Sequence, residues 1–266
     1  MSAFSDAQDR ILEETDALDV EVVREMDTRM RDLRRAILAI LLLLPPGGAL
    51  QFYYNNILQE LGRALDDFDA LIRTDMAKAF ETYWKLGEEI GQAAAKATGG
   101  SFYPTSTLDK EVMASYILDE ASAAVAALRV KLGRALNQGL LGEQSTEAAV
   151  HNMATLLGEE KIVKTFLQGI TAQLLAAVEK AEVNYIEGLV ARDATLKGRL
   201  TKIWNWSHVS RVNHAAMDGV EIPWEERFNV PGWGAVPAES MFAPHDPSAN
   251  PGQVLNCKCY LTIGGL

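Results

Sequence analysis

Apolar residues recur at helical spacing along most of the first 200 positions. From Ser5 to Leu44 they include Leu18, Val22, Met26, Met30, Leu33 and Ile37, with charged residues between them. That is the pattern of an amphipathic helix. Pro45-Pro46-Gly47-Gly48 must end it, because proline lacks an N–H and glycine turns freely. A second helical stretch runs from about Leu50 to Thr98 and stops at Gly99-Gly100. After a loop from Ser101 to Ser106, a third runs from about Leu108 to Leu140. A shorter one spans Ser145 to Gly158, and a last one Glu159 to about Leu200. No fixed-period internal repeat stands out. Segments this long predict a bundle or an extended arm and not a Rossmann-type sheet. The block Ile37 to Leu44 is apolar on every side, so as a helix it should be buried on every side, by a partner chain or by later helices.

The chemistry changes near residue 200. Trp204, Trp206, Trp224 and Trp233 lie beyond it, with only Trp84 before. His208, His214, His245, both cysteines and six of the 9 prolines lie there too. The expectation is a mainly α fold, a long-helix bundle or arm followed by a small α+β C-terminal module. We divide the chain into a helical region, residues 1–158, and a second region, residues 159–266, that ends in the α+β part.

Composition narrows the function classes. With 48% apolar and 23% charged residues the chain is globular and not a disordered tail. The net charge of -11 argues against sequence-blind nucleic-acid binding, which needs lysine and arginine to displace phosphate counterions. Two cysteines are too few for a disulfide framework. Met1 to Arg10 holds no apolar leader, and Ala36 to Leu44 is shorter than the roughly 20 residues of a spanning helix. Neither export nor a membrane span is expected.

The candidate chemistry is in the last quarter. From Trp206 to Gly219 the chain reads as a short helix, capped by Ser207 or Ser210 and ended by Gly219, with Arg211 and His214 on one face. Val220 to Pro223 reads as a strand with an edge proline, and Gln253 to Ile263 as a second strand containing Cys257 and Cys259. Thiols two apart in a regular strand share a face but are too distant for one tetrahedral metal, so a kink would be needed. With His214 and either His208 or His245 they would complete a Cys₂His₂ zinc site, although the spacing is not that of a zinc finger. The simpler alternative is two small, half-buried residues beside a hydrogen-bonded His214. A strained Cys257–Cys259 disulfide and a Cys257–His214 nucleophile pair are further alternatives. Glu179 and Glu182, three apart, read as a solvated helix face. No phosphate loop, His-Glu-x-x-His or Gly-x-Ser-x-Gly motif occurs.

Four stretches in order resemble the phage head morphogenesis family, the minor head proteins related to the F protein of phage Mu. They are Ala177 to Asn184 with Glu182 and Asn184; Lys202-Ile203-Trp204 followed by Arg211-Val212-Asn213-His214 and Asp218-Gly219; Phe228 with a Gly/Pro-rich loop to Asp246-Pro247; and Asn256-Cys257-Lys258-Cys259. They cover about residues 160 to 263. The family has Asp where His208 stands, and Arg where Lys258 stands; lysine keeps the charge but loses bidentate hydrogen bonding. Residues before 159 show no such likeness. The resemblance implies a virion component and not an enzyme, present in a few copies inside the head. It would be assembled with the portal protein and other head proteins, made in the bacterial host cytoplasm, and linked to DNA packaging or ejection. An acidic chain would not be pinned by dense DNA. In this reading Arg211, His214, Asp246, Cys257 and Cys259 form a structural cluster, with His208 as a further metal candidate. The alternative is a metal- or thiol-dependent enzyme or toxin-like domain using His214, Cys257 and Cys259. A third reading is a membrane-active ejection protein using Ile37 to Leu44.

Overall fold

The computed structural model describes residues 3–42, 53–99, 107–140, 146–158, 160–193, 195–207, 213–246, 248–254 and 257–265. Among the described residues five helices come first: α1 (Ala3–Leu42), α2 (Tyr54–Thr98), α3 (Thr107–Leu140), α4 (Thr146–Gly158) and α5 (Glu160–Arg192). Five short strands follow, β1 (Thr201–Asn205), β2 (Val220–Pro223), β3 (Phe228–Val230), β4 (Glu239–Met241) and β5 (Tyr260–Gly264), with one helical turn, α6 (Pro251–Val254), before the last. The fold is therefore mainly α with a small α+β C-terminal module. Among the described residues no helix is long and apolar enough to cross a membrane.

Two compact units are present. One comprises residues 1–20, 79–114 and 169–266, the other residues 21–78 and 115–168. The sequence boundary at 158/159 falls inside the segment 115–168 of the second unit.

The second unit is a set of packed helices with a regular burial pattern. On α1 the buried positions are Val22, Met26, Met30, Leu33, Ile37 and Leu41. On α2 they are Ile57, Leu61, Leu65, Phe68, Ile72 and Met76, and on α3 Ile117, Ala121, Val125, Leu128, Leu132 and Leu136, with Ala135 as one extra buried position beside this series. All three sets step by 4, 4, 3, 4 and 4, so each helix repeats its buried face every eleven residues. The sequence reading missed this period because the repeated positions differ in residue type and only their burial recurs. Eleven residues in three turns is 3.67 per turn, close to the α-helix's own 3.6, so the apolar stripe stays nearly straight along each helix. The Arg29–Asp75 ion pair at 2.8 Å and an Arg73–Ser122 hydrogen bond at 3.0 Å fasten neighbouring helices.

Within this chain the apolar block of α1 is covered on one side only. Ile37 and Leu41 are buried, but Leu42 is 81% exposed. Only the stripe four residues apart faces the neighbouring helices, so the block is one-sided like the rest of α1. Leu43 and Leu44 lie outside the described residues.

In the first unit the start of α1, the end of α2 and most of α5 enclose a core that includes Tyr83, Trp84 and Ile186, all fully buried. Two glycines let α2 and α5 approach closely. A Cβ on Gly87 would lie 2.3 Å from the Val178 carbonyl oxygen, and one on Gly91 would lie 2.1 Å from the Tyr185 ring. The sheet has the order β2-β1-β5, antiparallel throughout, with Trp204 opposite both Val220 and Leu261. Alternation along β1 and β5 turns Lys202, Trp204, Leu261 and Ile263 inward. β2 is an edge strand, which explains how Pro223 is tolerated. β3 and β4 form a separate antiparallel pair.

Candidate functional site: a buried His/Cys/Cys cluster

Two turns bring the candidate residues together. The first follows β1. The Gly219 N–H donates to the Trp204 carbonyl at 2.8 Å, and the Trp206 N–H donates to Asp218 Oδ1 at 2.9 Å. Gly219 has φ +70°, the left-handed conformation this return requires. The helix expected from Trp206 to Gly219 is replaced, in its described part, by one 3-10 turn at Ala215–Met217, with His214 just before it. The second turn joins α6 to β5. The strand expected from Gln253 starts only at Tyr260, and Cys257 to Cys259 are irregular backbone before it. Proline at the first position of α6 suits a helical turn and not a strand. Here the Cys257 N–H donates to the Val254 carbonyl at 3.1 Å, and the Cys259 N–H to Cys257 Sγ at 3.4 Å.

His214, Cys257 and Cys259 are all at 0% exposure, and their ligand atoms lie within 4.8 Å of one another. His214 Nδ1 is 3.5 Å from each Sγ. On the far side of the ring, Nε2 is 3.0 Å from Gln253 Oε1. The orientation of that amide follows from its other partners. Gln253 Nε2 donates to the carbonyls of Pro231 at 3.2 Å and Pro237 at 3.0 Å, and Trp233 Nε1 donates to Gln253 Oε1 at 3.3 Å. An oxygen must therefore face His214, so Nε2 donates a proton to it and Nδ1 is the ring nitrogen that faces the two sulfurs. The Trp204 ring packs edge-on against His214, with centroids 5.1 Å apart.

The two thiols are electrostatically unlike. The neighbouring Cys257 thiol, together with His214 and Trp204, holds Cys259 down to about 5 against the effect of burial. Burial pushes Cys257 well above the usual thiol range. The cluster thus favours a thiolate at Cys259, the form that binds metals.

The remaining candidates are placed elsewhere or lie outside the described residues. Asp246 binds Arg227 at 2.5 Å and accepts N–H groups from Phe242 at 2.8 Å and Ser248 at 2.9 Å. Burial works to raise its carboxyl, but these donors hold it below the usual range. It organises the loop after β4 and is not part of the His/Cys/Cys cluster. His208 and Arg211 are among the residues not described. His245 supplies no ligand to the cluster. Its Nε2 lies 3.0 Å from the Cys259 carbonyl oxygen, and burial lowers its pKa to about 4, so the neutral ring donates that hydrogen bond.

Glu179 and Glu182 do not form a solvated face; they are 6% and 3% exposed. Glu179 accepts the His245 N–H at 2.9 Å, and Glu182 is 3.5 Å from Gln8 Nε2. A cavity of about 30 Å³ beside them is also lined by Thr15, His245 and Thr262 and has room for about one water molecule. Burial raises both carboxyls, that of Glu182 to about 8. A sequence signal existed, because Thr165 to Val178 contains no charged residue, as suits a helix enclosed on all sides. Lys202 is a second hidden charge. It is 0% exposed, and its Nζ has no hydrogen-bond partner among the described residues and lies 3.1 Å from the centre of the Phe242 ring. Trp224 and Phe228 stand 5.6 and 5.5 Å away. Burial lowers this lysine to about 7.

No family model, no curated protein and no solved structure matches the chain.

Proposed function

We propose that this chain is a structural and assembly protein of a tailed-phage head, a minor head protein that works beside the portal in DNA packaging or ejection. The resemblance to the phage head morphogenesis family suggests the role. One observation favours a holding role for the residues behind it: His214, Cys257 and Cys259 are at 0% exposure. A thiol or metal enzyme must let substrate reach its reactive atoms, whereas these side chains join the turn after β1 to the turn before β5. Trp204 and Phe228, which carry the resemblance too, pack edge-on with centroids 5.2 Å apart in the same interior. We therefore assign no catalytic residue. The partners in this reading are the portal protein and other head proteins, and the location is the head interior.

The test is to delete the gene from its phage and to tag the protein in a parallel stock. The expected result is tagged protein in purified heads with the portal ring, and heads that are empty or fail to deliver DNA in the deletion. Normal, infectious particles from the deletion, with no tagged protein in wild-type heads, would overturn the reading.

A further inference from the structure

We propose that His214 Nδ1, Cys257 Sγ and Cys259 Sγ bind one zinc ion, which staples the turn after β1 to the turn before β5. Three observations carry this.

The first is distance. In a tetrahedral site with Zn–S of about 2.3 Å and Zn–N of about 2.0 Å, a nitrogen and a sulfur ligand lie about 3.5 Å apart. Both sulfurs stand at 3.5 Å from Nδ1. Two sulfurs equidistant from one ring nitrogen is the arrangement that a shared cation between the three atoms requires.

The second is the outer partner of the histidine. Metal-bound histidines commonly donate their other N–H to a fixed acceptor, which sets the tautomer and aims the ring. Gln253 Oε1 is that acceptor at 3.0 Å, and the Pro231 and Pro237 carbonyls prevent the amide from flipping.

The third is the turn itself. Cys257 and Cys259 leave the strand geometry that would separate their sulfurs, and the Cys259 N–H points at Cys257 Sγ at 3.4 Å. A backbone N–H at that position can donate to a metal-bound sulfur. Two thiolates with an imidazole are a soft donor set, suited to zinc and not to magnesium or calcium. On binding, each thiol that is still protonated gives its proton to solvent and a sulfur lone pair to the metal; nothing is oxidised or reduced.

The 266-residue chain carries its own control, because Cys257 and Cys259 are its 2 cysteines. The experiment is elemental analysis of protein purified from zinc-supplemented cells and dialysed against metal-free buffer, followed by exchange of the metal for Co²⁺. The expected result is one zinc per chain, and in the cobalt form a thiolate-to-metal charge-transfer band with the strong visible bands of a tetrahedral site. Gln253→Leu keeps all three ligands and should weaken zinc binding by about 10- to 100-fold in competition with a chromophoric chelator. The double variant Cys257→Ser/Cys259→Ser should lose the charge-transfer band even if it folds poorly. Should the double variant prove insoluble, the thiols of the wild-type chain decide. They should react slowly with a disulfide reagent before chelation and fast after it. A folded wild-type chain without zinc, with no charge-transfer band and with the same thiol kinetics before and after chelator, would overturn the proposal. None of these readouts depends on a role in a phage head.

Discussion

Lys258 and Asp19 form an ion pair at 3.2 Å although they are 239 positions apart in the chain. Asp19 is on α1, and Lys258 sits between the two cysteines. Tyr83 on α2 donates its hydroxyl to the same carboxylate at 2.7 Å. Asp19 is 7% exposed, so its charge depends on these two donors for compensation. Asp19→Ala should therefore lower the unfolding free energy by about 1–3 kcal/mol, read as a shift of the urea midpoint. Asp19→Asn, which keeps an acceptor for Tyr83, should lose less. Equal stability of Asp19→Ala and wild type would show that the pair contributes nothing.

The glycines of the helices should sort into two groups. At Gly87 and Gly91 an added methyl group meets Val178, Ala181 or the Tyr185 ring at under 3 Å. Alanine there should destabilise by about 1–3 kcal/mol despite its better helix propensity. Gly62 and Gly133 have nothing within 4 Å of the same position. Alanine at those sites should stabilise by about 0.5–1 kcal/mol. Thermal melts of the four single variants check this, and a gain at Gly91 would contradict the close approach of α2 and α5.

Glu182 should make the protein lose stability toward alkaline pH. Its folded pKa is raised from 4.5 to about 8, chiefly by burial. The folded state therefore holds a proton that the unfolded chain releases. The contribution is complete below pH 4.5 and declines as pH rises through about 8, with a slope of at most about 1.4 kcal/mol per pH unit. Glu182→Gln should flatten that part of the stability–pH curve and be the more stable form at pH 9. An unchanged slope would mean that the carboxyl titrates normally.

Lys202 predicts a slope of the opposite sign. Burial lowers its pKa from 10.5 to about 7, so its neutral form suits the fold. Its contribution is complete above pH 10.5 and is lost as pH falls through about 7. Lys202→Met fills much of the same space without a charge. It should melt higher than wild type at pH 6, with the difference shrinking toward pH 10.5. A variant less stable at pH 6 would assign the ammonium–aromatic contact a net favourable role.

The helices were legible because their apolar stripes and Gly/Pro breaks are local signals. The last one was read too long for a specific reason. Leu189, Leu196, Leu200 and Ile203 continue a helical spacing, yet α5 ends at Arg192. Beyond it Asp193 Oδ1 accepts both the N–H and the hydroxyl of Thr195, at 2.9 and 2.6 Å, an alternative to continuing the helix. β1 follows and was not read as a strand. Of the candidate site, His214 and the cysteines were legible as residue types with the right chemistry. Gln253 was not, because an amide acquires its role from the carbonyls that orient it, and those come from a distant loop. Glu179 and Glu182 were misread because charge ordinarily marks surface. Asp246 was grouped with His214 and the cysteines, while the structure pairs it with Arg227.

The shared step of burial in α1, α2 and α3 also makes the second unit adjustable in length. At the 3.67 residues per turn of this repeat, removing eleven residues from one helix returns its buried face to the same heading, while removing seven would rotate it by roughly 30°. Matched deletions of eleven in all three helices would shorten this unit by about 16 Å, with Val22, Ile57 and Ile117 still facing inward. Relatives of different reach could arise in this way by whole increments, with the packed interior of each increment unchanged.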